Sequence, residues 1–315
     1  MTRSSVMLFV LVSGLLLAAC GGAPAATRPM SPAAPAEELA LTTATDAATA
    51  ASTEAPAASS TIAAGTLNVF AAASLTDALE EIANAFEAAN PSVSVAYNFA
   101  GSQQLAAQIN EGAPADVFAS ANRTQMQAAI DGGRIDHGSE QTFVRNQLVV
   151  ITPSDNPAGI ETLRDLANPG LRLIVSDAVV PVGQYSLDFL AKASALPEYT
   201  ASYSPTVLAN VVSYEDNVRS VLTKVALGEG DAGIVYTTDA ALDGDKVVQI
   251  AIPDELNTIA DYPIAPLNDS PNAALAEAFI AYLLSPEGQA VLTRYGFLSP
   301  AETAAGVAST AVAGI

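Results

Sequence analysis

The sequence predicts an α/β protein whose folded part is shared between two sheets, and three observations predict it. From Leu67 onward, short apolar runs of strand character alternate with segments of helical period. The connections between them are short, as expected where a largely parallel sheet is built from strand–helix–strand units. A second group of Val- and Ile-rich runs begins at Leu148, and the late segment Tyr262 to Leu267 crosses back to the first lobe.

The chain has 315 residues, room for one large or two ordinary domains. Its hydrophobic content of 50% and mean hydropathy of +0.32 would suit a membrane protein, but much of that is alanine. The one long apolar run lies at the start, from Val6 to Leu17 behind Arg3, and reads as a signal peptide over residues 1–19. Leu17-Ala18-Ala19-Cys20 resembles the bacterial lipobox, which implies cleavage before Cys20 and lipid attachment to its sulfur. Cys20 is the only cysteine, so no internal disulfide can form. Residues 20–65 are rich in Ala, Pro, Thr and Ser and poor in large apolar side chains, the composition of a flexible tether. A net charge of −21 argues against nucleic acid and against an anionic membrane surface as partners. Any anion must therefore be held by local donors.

In the folded part, Leu67 to Phe70 reads as a buried strand that runs through Ala71-Ala72-Ala73 into a helix. Leu75, Ala78, Leu79, Ile82, Ala83 and Phe86 recur at helical spacing, with Ser74 at the N-cap position. Val93 to Phe99 alternates with period two, and Gly101-Ser102 opens a helix over Gln103 to Asn110. Ala115 to Ser120 is a short strand and Arg123 to Asp131 a helix. The second group comprises a strand at Leu148 to Pro153, a helix near Glu161 to Leu166 and a strand at Arg172 to Val175. A helix over Gln184 to Ala193 and a strand at Val207 to Val212 follow. Glu215-Asp216-Asn217-Val218 caps a helix that runs to Ala226, and Ala232 to Tyr236 is a buried strand. Val247 to Ile252 is the next apolar run. Helices at Asn272 to Leu284 and Pro286 to Tyr295 finish the core, and residues 301–315 carry no periodic pattern.

Four helix starts share one property. Ser74, Ser102, Val182 and Val218 each lie at or just inside a helix N-terminus in a strand-to-helix turn, where free N–H groups and the positive dipole end coincide. In open α/β sheets such turns lie at the carboxyl ends of strands, where ligands bind. Two hydroxyls and two backbone amides, with the Tyr236 phenol, would form a neutral cage of donors suited to a small, fully deprotonated oxyanion. The same residues also have plain structural roles, as helix caps and a core tyrosine. Arg219, beside the cage, has Glu215 four residues earlier and is expected to pair with it. His137, the single histidine, lies in a turn-like run and cannot build a histidine-rich metal site. Asp116, Glu215, Asp216 and Asp231 lack metal-loop spacing.

Seven motifs occur in order: Phe70 to Thr76, Phe99-Ala100-Gly101-Ser102, Gly112 to Phe118, Val180 to Tyr185, Glu215 to Arg219, Gly233 to Tyr236 and Arg294 to Phe297. Together they resemble the molybdate-binding proteins of bacterial ABC importers, over about Leu67 to Pro300. The resemblance implies a type II periplasmic-binding-protein fold with a ligand cleft between lobes. Residues 66–145 plus 261–300 would form one lobe, residues 146–260 the other, and residues 301–315 a tail. It also implies that Ser74, Ser102, Val182, Val218 and Tyr236 hold molybdate or tungstate as an oxyanion, with no direct metal ligand and no cofactor. The family often has alanine where this chain has Val182, a change that a backbone contact survives. The implied protein is an exported, lipid-anchored monomer that hands its ligand to an ABC permease and catalyses nothing.

Two other classes compete. The same fold could bind sulfate, phosphate or an organic anion, although phosphate keeps a proton near neutral pH and would want a carboxylate acceptor. An exported serine hydrolase would need a base for Ser74 or Ser102, and the chain lacks G-x-S-x-G. A purely structural lipoprotein is the remaining reading. No P-loop is present, so energy for transport would come from a partner.

Overall fold

The computed structural model describes residues 64–300. The signal peptide, Cys20, nearly all of the tether and the tail at 301–315 lie outside the described residues.

The first strand, β1 (Gly65–Ala72), leads through a short 3-10 turn (Ala73–Leu75) into α1 (Thr76–Ala89). Strand β2 (Val93–Ala100), α2 (Ser102–Asn110), β3 (Val117–Ala119), α3 (Arg123–Asp131) and β4 (Gln141–Asn146) follow. One residue, Gln147, separates β4 from β5 (Leu148–Pro153). Next come β6 (Leu173–Ser176), α4 (Pro181–Ser194), α5 (Tyr203–Ala209), β7 (Val211–Glu215) and α6 (Val218–Ala226). The chain continues with β8 (Ala232–Tyr236), α7 (Thr237–Leu242), β9 (Val247–Ala251), β10 (Ala260–Pro266), α8 (Ala273–Leu284) and α9 (Pro286–Arg294).

Among the described residues the strands form two five-stranded sheets, ordered β2-β1-β3-β10-β4 and β7-β6-β8-β5-β9. In the first, β1 pairs parallel with β2 and β3, while β10 runs antiparallel to β3 and β4. In the second, β6 pairs parallel with β7 and β8, while β5 runs antiparallel to β8 and β9. The two sheets thus share one plan, each with a single reversed strand. That strand is the one entered directly from the other sheet: β4 passes into β5, and β9 into β10. Strand–helix–strand units point the other four strands the same way. The reversed strand makes two of the four pairings in each sheet antiparallel, so the sheets are mixed rather than largely parallel. The fold is a two-lobed α/β fold.

The core explains the element types. Helix α1 buries Ala78, Leu79, Ile82, Ala83 and Phe86, the stripe expected from its period. Strand β5 is buried along its whole length, as a strand covered on both faces must be. Helix α6 packs tightly on β8 at Gly233, where an added Cβ would lie 2.8 Å from Val221 and 2.9 Å from the Ile174 carbonyl oxygen.

Several local expectations are corrected. Val207 and Leu208 belong to α5 rather than to a strand, which starts only at Val211. A short apolar run has no period long enough to tell the two apart. Asn210 ends that helix, its side chain donating to the carbonyls of Leu166 and Asn168. The helix expected near Glu161 to Leu166 is a 3-10 turn at Leu163–Ala167. The strand β4 and the helix α7 carry no clear pattern in sequence. In the former only Phe143 and Val144 are apolar, and the latter is six residues long.

Candidate ligand-binding site

The turns after β1, β2, β6 and β7 converge with the end of β8 on one cavity. Its walls include Ser74, Gly101 and Ser102 from the first sheet's side, and Val182, Asn217, Val218 and Tyr236 from the second's. All five residues singled out from the sequence therefore face the same space, and all five are buried. The alanines at 72, 73, 100 and 121 complete the wall and keep the backbone close to its centre. The cavity leaves about 20 Å³ for the centre of a water-sized sphere. A single water needs ~10–15 Å³ by the same measure, so the space suits a compact ion rather than an organic metabolite.

Three of the five residues occupy first helical turns. Ser102 and Val218 are the first residues of α2 and α6, and Val182 is the second of α4, behind Pro181. At these positions an N–H has no acceptor within its own helix. The Asn217 side chain caps α6 by accepting from the Ser220 N–H at 3.0 Å, which leaves the Val218 N–H for the cavity.

Ser74 differs from expectation. It sits within the 3-10 turn, α1 begins two residues later, and its side chain caps nothing. Its hydroxyl instead lies 2.9 Å from the Tyr262 hydroxyl of β10. Ser102 Oγ accepts from the Ala121 N–H at 3.0 Å, so its own proton is free to point elsewhere. The Tyr236 hydroxyl is fully buried and has no hydrogen-bond partner among the described residues. A buried hydroxyl without a partner costs roughly 1–3 kcal/mol, so an acceptor from a ligand would be well used there. Burial pushes the Tyr236 phenol well above its ordinary range, so it remains a donor.

Among the described residues no charged side chain lines the cavity. Arg219 does not pair with Glu215. Its Nε lies 2.6 Å from Asp239 and its Nη2 2.6 Å from Asp77. Glu215 ends β7 rather than belonging to α6, so helical i,i+4 spacing does not apply to it. It takes Lys224 at 2.5 Å instead. Asp116 accepts from the Asn68 N–H and from Ser270, and Asp231 pairs with Arg172. His137 is exposed. Among the described residues no group of three or more His, Cys, Asp or Glu is placed to hold a metal ion.

The rim is closed by direct contacts between the two sides. Gln103 donates to the Asp216 carbonyl oxygen at 2.7 Å and Gln104 to the Asp216 carboxylate at 2.9 Å. Asn122 donates to Gln184 at 3.0 Å, and Gln125 to the Val179 carbonyl at 3.0 Å. The Arg219–Asp77 pair completes the set. Sequence reasoning did not find Gly101, Ala121 or Tyr262 as parts of this site. Each acts through a backbone approach or a distant partner, and neither leaves a local signal.

Two lobes meeting over a small cavity lined by donors and, among the described residues, by no charged side chain are the arrangement of a solute-binding protein. The chain belongs to the bacterial extracellular solute-binding protein family, whose pattern matches residues 67–298. It is 36% identical over 229 residues to the molybdate-binding protein ModA of Mycobacterium tuberculosis strain H37Rv, covering 73% of this chain and 83% of that protein. It is 35% identical over 232 residues to ModA of Escherichia coli, with coverages of 72% and 86%. The periplasmic molybdate-binding protein of Azotobacter vinelandii shares the fold, with a TM-score of 0.63 at 22% identity over 74% of this chain and 99% of that one.

Proposed function

We propose that this protein captures molybdate, and tungstate with it, and delivers the anion to an ABC-type membrane importer. The observation that carries the reading is the cavity itself: donors from both sheets, no carboxylate and no cation. A fully deprotonated tetrahedral dianion accepts from all sides and offers no proton, which matches a wall of donors alone. Ser74, Ser102 and Tyr236 would bind through hydroxyls, and Val182 and Val218 through backbone N–H groups. The molybdate-binding relatives support the choice of ion. Molybdate and tungstate have nearly equal size and charge, so the same donors serve both.

The contacts across the rim support capture by closure of two lobes, residues 66–145 with 261–300 against residues 146–260. Closure favours binding only through contacts better made in the closed form, and ligand donors drawn from both sides meet that condition. The reading is of a binding protein and not an enzyme. Ser74 and Ser102 are bonded to a tyrosine and to a backbone amide, neither of which is a base. The apolar run behind Arg3 and the lipobox-like Leu17-Ala18-Ala19-Cys20 support export with a lipid anchor at Cys20, and the folded part would act as a monomer outside the membrane.

Calorimetric titration with molybdate, tungstate, sulfate and phosphate tests the ligand. Tight binding of the first two with weak sulfate and phosphate is expected. Silence toward molybdate and tungstate from folded protein would overturn the assignment, and a sulfate response would move it. Replacing Cys20 with alanine should release the protein from the membrane fraction, and retention there would remove the anchor.

A further inference from the structure

Behind the Ser74 hydroxyl lies a chain of hydrogen bonds whose direction is set at its far end. Asn146 closes β4, and its side chain accepts from the backbone N–H of Gln147 at 2.9 Å. A backbone N–H can only donate, so the atom facing it is the amide oxygen. Thr237 also donates to that oxygen, at 3.2 Å. The amide nitrogen therefore faces the other way, 2.8 Å from Thr238 Oγ1 and 3.5 Å from the Tyr262 hydroxyl oxygen. The Tyr262 and Ser74 hydroxyls lie 2.9 Å apart in a bond that either can donate, and the N–H group presented to the Tyr262 oxygen favours Tyr262 as the donor. With Tyr262 as donor, the Ser74 proton is left for the cavity.

Resting on the oxyanion reading of this cavity, we propose that Tyr262 is a positioning residue that makes Ser74 a one-way donor. It thereby selects fully deprotonated anions over anions that carry a proton. Ser102 shows the same arrangement built from backbone, since the Ala121 N–H occupies its acceptor side. A ligand O–H needs an acceptor, and each serine oxygen already has a protein donor beside it, which leaves one lone pair and turns its own proton to the cavity. Tyr262 is fully buried, with its ring edge-on to those of Tyr236 and Phe297. Burial raises its phenol far above the ordinary range, so the proton it donates stays in place over any working pH.

The test is a double-mutant cycle of wild type, Tyr262→Phe, Ser74→Ala and the double variant, each titrated with molybdate, sulfate and inorganic phosphate at pH 7. Phenylalanine keeps the buried ring, and thermal unfolding of each ligand-free variant checks the fold. Tyr262→Phe should weaken molybdate roughly 3- to 10-fold, the worth of one hydrogen bond. It should also narrow the ratio of molybdate to phosphate affinity, because Ser74 can then rotate to accept. In the Ser74→Ala background the same change should do nothing further. An equal loss in both backgrounds means that Tyr262 acts by packing alone and overturns the proposal, as does wild-type behaviour of Tyr262→Phe. A wild-type protein silent to all three anions overturns the reading of the cavity, and this inference with it.

Discussion

Gly101 and Asp216 meet across the cleft so closely that a Cβ on Gly101 would lie 2.3 Å from the Asp216 carbonyl oxygen. Gly101 joins β2 to α2 and Asp216 joins β7 to α6, so the contact links the two sheets at the rim of the cavity. The Gly101 backbone is extended, at φ −62° and ψ 136°, a conformation open to any residue. Space, rather than backbone strain, is what requires glycine here.

Gly101→Ala therefore opposes closure and leaves each sheet intact. Its ligand-free stability should stay within about 0.5 kcal/mol of wild type, as for a substitution with no strain in the open form. Molybdate affinity should fall by at least ~10-fold, the equivalent of about 1.4 kcal/mol of lost closure. Small-angle scattering with saturating ligand should show the variant remaining more extended than wild type.

Ser102→Ala should injure both binding and folding. It removes a donor from the cavity and leaves the Ala121 N–H, now bonded to Ser102 Oγ, without its acceptor. Stranding a buried amide costs about 1–3 kcal/mol, and losing a hydrogen bond to a charged ligand about 1.5–3 kcal/mol. Urea unfolding and calorimetry should show the two losses separately, with Ser102→Thr restoring much of each.

Asp77→Asn tests the ion pair that Arg219 makes between the two sides. The Asp77 side chain is 39% exposed, so solvent screens the pair. A loss of about 0.2–1 kcal/mol is expected, up to roughly fivefold in affinity. Stopped-flow measurement should place it in faster release. The difference from wild type should shrink at high salt, where partly exposed pairs are screened.

Asp239 gives stability a pH dependence of its own. Burial pushes its carboxyl up to about 6, against the opposing pull of Arg219. Between about pH 4 and 6 the folded state then holds a proton that the unfolded chain releases, so this contribution grows as pH falls through that window. It amounts to at most about 3 kcal/mol. Asp231 and Asp261 act in the opposite sense. Against the upward push of burial, their arginine partners hold both carboxyls below the ordinary range, so their contribution is lost only as pH falls below about 4. Urea unfolding of wild type and Asp239→Asn from pH 4.5 to 7.5 should show the wild-type advantage of acid and a flatter profile in the variant.

Much of this was legible in the residues because the signals are local. The apolar stripe of α1 and the capping run Glu215 to Val218 before α6 act within one or two helical turns, whereas α4 starts at Pro181, three residues before the expected Gln184. The Val- and Ile-rich run from Leu148 likewise announces β5 and with it the second sheet. The expected Arg219–Glu215 pair failed because spacing was read across the end of a strand, where the helical repeat does not hold.

The sequence by itself determined the order of strands and helices and the turns that carry the donors, because periodicity and capping are properties of neighbouring residues. Only the tertiary structure decided what stands behind and across from those donors. Tyr262 reaches Ser74 over 188 residues, Arg219 finds Asp77 over 142, and Gln103 finds Asp216 over 113. Those distances along the chain close only when two separately built sheets meet over one cavity, a condition that no local pattern encodes.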